Sequence, residues 1–489
     1  MRAARTGLSL LPAPLLAAAL AAACWGDVVP VWPDGQPDSD SGTDEAPQPI
    51  PGGGLGDAPL DGRLDLFLLR EDTGEPVPGA RVLLETAGGD AHTAQTDEDG
   101  HATFVDEGLV GRVDLHVLAG GFVTESFLEV GKALATLPLR PVVAASPAEP
   151  ATISGTVSGW EGLPEPTATR HRAVLVAFGP RWADLISIRQ PLPVEPVPAI
   201  VVEIDGEDPS FELEVPPVPG ALYVFAGLVG TFGTPDTADD VGDWSMFTAH
   251  VGIEPGAGGS ISGLALELDA GLPISFHATL GSFPGVYERA GVEMALDLGD
   301  QGTIWVPGTR QGGKWFFPVP EQAGALAAGS PLVIARGDQS TTSEEGAGDV
   351  EATPLGRYIA RDLGSLPGYT RVAPFVVPGM PSPPAQVGFD GQRFQCLPMM
   401  GTDLARVVLS GAATGAEHWR ITAFGNLPGS IVPPSFPADW GFGGIPAGAV
   451  VVRAWTVAFT ADPAELHFAS YPQLVREVAF EAVEANPVP

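Results

Sequence analysis

Short runs rich in β-branched and apolar residues recur along this chain from Leu64 onward, each cut off within a few positions by Gly, Pro or Asp. Leu64-Asp65-Leu66-Phe67-Leu68, Arg81-Val82-Leu83-Leu84-Glu85 and Val113-Asp114-Leu115-His116-Val117 alternate or form short apolar stretches. That is the pattern of strands with one face buried. Asp72-Thr73-Gly74-Glu75-Pro76 and Asp97-Glu98-Asp99-Gly100 separate them, and these residues satisfy turn backbone groups locally. No apolar stripe at helical spacing interrupts the series. Short strands at regular intervals predict an all-β chain of tandem β-sandwich modules, Ig-like or transthyretin-like.

The N-terminus is of another kind. Arg2 and Arg5 precede an apolar run from Leu8 to Leu20, and Ala21 to Ala23 lead into Cys24. Residues 1–23 are therefore expected to be a signal peptide; the run is shorter than the ~20 apolar residues that a spanning helix needs. Leu20-Ala21-Ala22-Ala23-Cys24 resembles the lipobox of bacterial lipoproteins, although its leucine stands four residues before the cysteine instead of three. The resemblance implies a lipidated Cys24, a membrane contact through that lipid, and a place in the cell envelope, at the outer membrane. Ordinary cleavage that leaves Cys24 as a free thiol is the alternative. Residues 24–59, with Pro37-Asp38-Ser39-Asp40-Ser41-Gly42-Thr43-Asp44, are expected to be a disordered acidic linker, because they hold few apolar groups to bury.

A second resemblance covers residues 60–141. Thr73-Gly74-Glu75-Pro76-Val77-Pro78-Gly79-Ala80-Arg81-Val82, then Thr96-Asp97-Glu98-Asp99-Gly100 with Phe104, then Ala119-Gly120-Gly121-Phe122 resemble the carboxypeptidase regulatory-like, transthyretin-like domain. The opening Ile-x-Gly-x-Val of that family is missing, and Arg63-Leu64-Asp65-Leu66 stands in its place. The resemblance implies a β-sandwich that acts as a spacer or adhesive unit. A looser second sandwich is expected over 151–271, opening at Ile153-Ser154-Gly155-Thr156-Val157. Residues 273–489 are expected to be all-β as one unit or two, with Leu474 to Val483 either a short helix or a final strand.

With 60 acidic residues against 24 Lys and Arg, the formal net charge is −36. Such a surface repels nucleic acid, so no nucleic-acid partner is expected. Hydrophobic residues make up 44% of the chain, enough to fold most of it despite the acidity. If Cys24 is lipidated, Cys396 is left without a disulfide partner, and its strand-like setting predicts a buried structural thiol.

A search for chemistry finds no His-x-x-x-His pair, no Gly-x-Ser-x-Gly elbow and no phosphate-binding loop. His116, between Leu115 and Val117, is expected to face away from the core and into solvent. Asp236, Asp239, Asp240 and Asp243 offer hard oxygen ligands to calcium on a Gly-containing loop. Their spacing matches no known calcium loop, and a solvated acidic insertion is the favoured reading; no other cofactor is expected. Arg336-Gly337-Asp338 precedes a polar stretch, where a chance match is the simpler account. Trp305 and Trp455 belong in strand cores, whereas Trp440 and Phe442, in a Gly/Pro-rich loop, are the candidate ligand-binding aromatics. The expectation is a surface lipoprotein that binds, adheres or spaces without catalysis, its partner a surface polysaccharide or protein. The alternatives are a hydrolase of surface polymers with its site in 273–489, and a structural subunit of an envelope complex.

Overall fold

A computed structural model describes residues 47–143, 148–187, 197–230, 243–287, 289–311, 313–321, 323–338, 355–361, 375–442, 444–445, 449–460 and 466–485. The signal peptide, Cys24, most of the acidic linker, and Asp236, Asp239 and Asp240 lie outside these residues.

The first seven strands bury their alternating apolar faces between two sheets. They are β1 (Gly54–Arg70), β2 (Arg81–Thr86), β3 (Ala91–Gln95), β4 (His101–Gly111), β5 (Val113–Leu118), β6 (Thr124–Val130) and β7 (Lys132–Leu139). A narrow sheet has the order β4-β1-β7, with β7 parallel to β1. A wide sheet has the order β3-β2-β5-β6. Leu64, Leu66 and Leu68 of β1 share one core with Val82, Leu84 and Leu115 of the facing sheet, as strand alternation requires. The turn between β3 and β4 forms as its residues predict. Asp97 Oδ1 accepts the backbone N–H groups of Asp99 and His101 at 3.0 and 2.9 Å. Gly100 sits at φ 69°, where a Cβ would collide with the Leu68 carbonyl.

The same order of wide-sheet strands returns three times. In the second set, β8 (Ala151–Ser158), β9 (Arg170–Pro180), β10 (Ala199–Glu203), β11 (Ser210–Val215), β12 (Gly220–Gly230), β13 (Asp243–Ile253) and β14 (Ser260–Glu267) are followed by the two-residue β15 (Ala270–Gly271). They form β11-β8-β14, with β14 parallel to β8, and β10-β9-β12-β13-β15. The third set comprises β16 (Ile274–Ser282), β17 (Arg289–Asp297), β18 (Thr303–Val306), β19 (Thr309–Gln311), β20 (Lys314–Val319), β21 (Ser330–Asp338), β22 (Leu355–Ala360) and β23 (Phe375–Gly379). Here the sheets are β19-β20-β16-β23, with β23 parallel to β16, and β18-β17-β21-β22. The fourth set is β24 (Gly388–Phe389), β25 (Phe394–Gln395), β26 (Leu404–Gly411), β27 (Glu417–Ala423), β28 (Ser430–Ile431), β29 (Val450–Phe459), β30 (Leu466–His467) and β31 (Val475–Ala485). Its wide sheet is β27-β26-β29-β31, and its narrow sheet is β24-β25-β28. In that narrow sheet the antiparallel β24 stands where the other three sandwiches place a parallel closing strand. The protein is thus an all-β tandem of sandwiches.

Three of the wide sheets do not stay separate. β22 of the third sandwich pairs antiparallel with β31 of the fourth, and β27 of the fourth pairs parallel with β6 of the first. One sheet of 12 strands results. The second sandwich packs on the third through its wide sheet, and Tyr223, Phe225 and Phe247 join the third core. A Cβ at Gly179 would collide with the Thr303 carbonyl, so that approach requires glycine. A turn of helix, Trp182–Leu185, is buried against the third and fourth sandwiches: Trp182 Nε1 donates to the Pro472 carbonyl at 2.8 Å, and its ring lies 6.3 Å from that of Trp305.

Two expectations need correction. The linker does not extend to residue 59: Ile50 is buried, its N–H donates to Thr136 Oγ1, and Gly54 and Leu55 pair with His467 and Leu466. His116 does face away from the first core, but the seam with β27 covers it, leaving it 4% exposed. Arg336-Gly337-Asp338 closes strand β21, and the Tyr287 ring lies over Gly337. Leu474 ends a helical turn and Val475 begins the last strand.

Candidate functional site

The parallel junction between β6 and β27 joins parts of the chain almost 300 residues apart, and each face of it carries a buried polar group. The register Trp419↔Thr124, Arg420↔Glu125, Ile421↔Ser126 fixes which residues meet. Along β27, Trp419, Ile421 and Ala423 enter the fourth core, which turns Arg420 and Thr422 to the opposite face.

On that opposite face Arg420 Nη1 donates to Glu71 Oε2 at 2.9 Å, and Nη2 donates to Glu71 Oε1 at 3.0 Å. Nη1 also donates to Glu125 Oε1 at 3.1 Å. Arg406 Nη2 lies 3.6 Å from Glu71 Oε1, and Arg140 Nη1 lies 3.4 Å from Glu71 Oε2. Glu417 approaches Arg420 Nε at 3.6 Å. Three carboxyl groups and three guanidinium groups thus converge, and the Glu71 and Arg420 side chains are 0% and 5% exposed. Burial pushes Glu125 up to about 8, with Glu71 adding to the rise and Arg420 opposing it. Glu417 is also raised by burial.

On the other face Trp419 Nε1 donates to Ser126 Oγ at 2.9 Å. Ser126 Oγ lies 2.8 Å from His116 Nδ1. The ring's other nitrogen, His116 Nε2, lies 3.6 Å from Glu85 Oε2. Serine, histidine and glutamate in line resemble the parts of an acyl-transfer triad. Ser126 is 0% exposed, however, and burial lowers His116 to about 4. A hydroxyl closed to water and substrate is a structural bridge. The sequence reading missed both groups, since nothing local marks Glu71, Glu125 or Ser126 as meeting residues beyond 400.

Of the sequence-derived candidates, Trp440 and Phe442 meet around Phe436, and Asp243 stands apart from them. Asp243, at the start of β13, is exposed and pairs with Arg170 at 3.3 Å. No metal-binding cluster of His, Cys, Asp and Glu occurs among the described residues. Trp440 is half-buried: its ring stacks on Phe436 at 5.5 Å, and the Arg81 guanidinium lies 5.9 Å from its centroid. Phe442 meets Phe436 edge-on at 5.0 Å. This aromatic loop of the fourth sandwich leans on β2 of the first. Cys396 is buried, its Sγ 3.4 Å from the Pro428 carbonyl, and burial pushes the thiol up to about 11. No helix among the described residues is long and apolar enough to cross a membrane.

No family model matches the chain, and no curated protein matches it. Solved structures give low-scoring likenesses. The Bacillus anthracis TIE protein is 13% identical over 58% of this chain and 46% of that one, with a TM-score of 0.14; the chain spans about half of that protein's length. The shaft pilin SpaA from Lactobacillus rhamnosus GG is 11% identical over 43% of this chain and 98% of that one, with a TM-score of 0.14. The pilus adhesin SpaC from Lactobacillus rhamnosus GG is 10% identical over 75% of this chain and 44% of that one, with a TM-score of 0.13. At these scores the likeness carries no argument about what this chain does.

Proposed function

We propose that this chain is a non-catalytic structural protein of the cell envelope, tethered through a lipidated Cys24 and holding its sandwiches as one stiff block at the surface. The fusion of three wide sheets into a single sheet, with buried ion groups at the β6–β27 seam, carries this reading. A string of independent binding modules would leave its junctions polar and open, as interfaces between domains within one chain usually are. The Ser126–His116–Glu85 set speaks against acyl transfer because it is closed off. The first sandwich fits the carboxypeptidase regulatory-like reading in its Asp97–Gly100 turn.

The deciding experiment is one of address. The full-length chain and its Cys24→Ala variant are expressed in a Gram-negative host, labelled with an alkyne fatty acid and fractionated. Label on the wild type alone, in the membrane fraction and open to protease on whole cells, is the expected result. Soluble release of both forms without label overturns the tether and favours a freely released enzyme or effector.

A further inference from the structure

The fused sheet ends at β3, and nothing among the described residues pairs with the outer side of that strand. Thr96 N–H donates to the Ala80 carbonyl and Thr86 N–H to the Asp90 carbonyl. Antiparallel pairing alternates, so His92 and Ala94 turn their backbone groups to β2, while Ala91, Thr93 and Gln95 turn theirs outward. Edge strands are ordinarily guarded by lysine, proline, a bulge or a covering loop. Ala91-His92-Thr93-Ala94-Gln95 has neither lysine nor proline, and its pairing with β2 runs without a bulge. The chain already joins its own sandwiches at such edges, antiparallel at β22–β31 and parallel at β27–β6.

The surroundings of this edge select what joins it. Asp90 is exposed at one end of β3, Asp97, Glu98 and Asp99 at the other, and Asp106 on β4 lies 4.0 Å from His92. Arg81, the basic residue on the neighbouring strand, is turned to Trp440. A second copy would bring acids against acids, on chains whose formal net charge is −36.

We propose that the outer edge of β3 is a docking site for an extended, cationic segment of a partner protein, added as a further strand of the fused sheet. Backbone pairing to Ala91, Thr93 and Gln95 supplies the affinity. Lysine or arginine near the ends of the segment meets the acids flanking β3. The proposal is independent of lipidation at Cys24, and its test needs no membrane.

The test uses the full chain and a fluorescein-labelled, capped peptide alternating lysine and valine, followed by anisotropy at about 20 and 200 mM salt. The comparison peptide carries the same residues with alternate backbone amides N-methylated, which keeps the charge and removes strand pairing. Saturable binding of the first peptide, weakened about tenfold or more by N-methylation, is the expected result. Thr93→Pro, with a circular dichroism spectrum like wild type, weakens it equally, because the outward N–H is gone. Asp97→Asn with Asp99→Asn flattens the salt dependence. Equal binding of both peptides means undirected attraction to an acidic protein and overturns the proposal, and so does the absence of saturable binding. A dimer in sedimentation that Thr93→Pro dissolves gives the edge to a second copy and overturns it as well. If Thr93→Pro fails to fold, the N-methylated peptide decides on the wild-type chain.

Discussion

Arg420 and Glu71 stand 349 positions apart and meet in a two-pronged ion pair, at 2.9 and 3.0 Å, inside the protein. A buried pair of this kind adds little net stability over well-packed apolar residues. Losing one member leaves the other charge without compensation, at a cost of roughly 3–5 kcal/mol. Its service is to register: only one alignment of β27 on β6 brings Arg420 beside Glu125 and under Glu71.

Arg420→Ala is therefore expected to lower the unfolding free energy by about 3–5 kcal/mol in urea titrations. A loss under about 1 kcal/mol for this variant counts against a buried, charge-paired seam.

Glu125 gives this seam a pH dependence of definite sign. Its ordinary value of 4.5 rises to about 8 in the folded chain, so across that window the folded protein holds a proton that the unfolded chain has released. Stability from this group is complete below 4.5 and falls as pH rises through about 8. Glu125→Gln is expected to match wild type near pH 5 and to exceed it increasingly as pH rises through about 8. Denaturation midpoints across a pH series read the difference.

His116 acts in the opposite sense. Its value drops from 6.5 to about 4, so the unfolded chain takes up a proton in that interval before the folded chain does. Stability is complete above 6.5 and is lost as pH falls toward 4. His116→Gln keeps a partner for Ser126 and is expected to remove this acid-side loss, a difference of up to about 3 kcal/mol near pH 4.

Much of this architecture is legible in the residues themselves. The strand at Arg81–Glu85, the turn at Asp97–Gly100 and the opening strand at Ile153 are specified by local alternation and turn chemistry, which act over a handful of positions. The seam is not, because a parallel pairing of β6 with β27 depends on contacts almost 300 residues away that leave no periodic trace. The reading of His116 shows the limit: alternation gave its face, and only the neighbouring sandwich decides that the face is buried. Strand β13 was hidden for a related reason. Its Asp243-Trp244-Ser245-Met246 start adjoins the acidic stretch 236–243, which masks where the strand begins.

Ser126→Ala tests the other face of the seam. The variant strands the Trp419 indole N–H and His116 Nδ1 without their shared hydroxyl, a loss of about 1–3 kcal/mol. Faster amide hydrogen exchange in β6 and β27 together, with β8 unchanged, is the expected pattern. Acceleration spread evenly over every sandwich contradicts a seam-specific bridge.

Cys396 offers a simple reporter. Burial holds its thiol at about 11, so at pH 8 the native chain is expected to resist alkylation by iodoacetamide and to react promptly in denaturant. Equal labelling in both conditions means that the fourth sandwich opens far more readily than its packing implies.

Successive sandwiches follow one another along the chain, yet the fourth is welded back to the first. The contacts therefore close a circle that the polypeptide itself leaves open. A single nick between residues 139 and 151 severs the backbone without parting the pieces, since β1 still pairs with β30 and β6 with β27. Both fragments should travel as one particle on a sizing column, and the order of the sandwiches should tolerate being rewritten from a new start point.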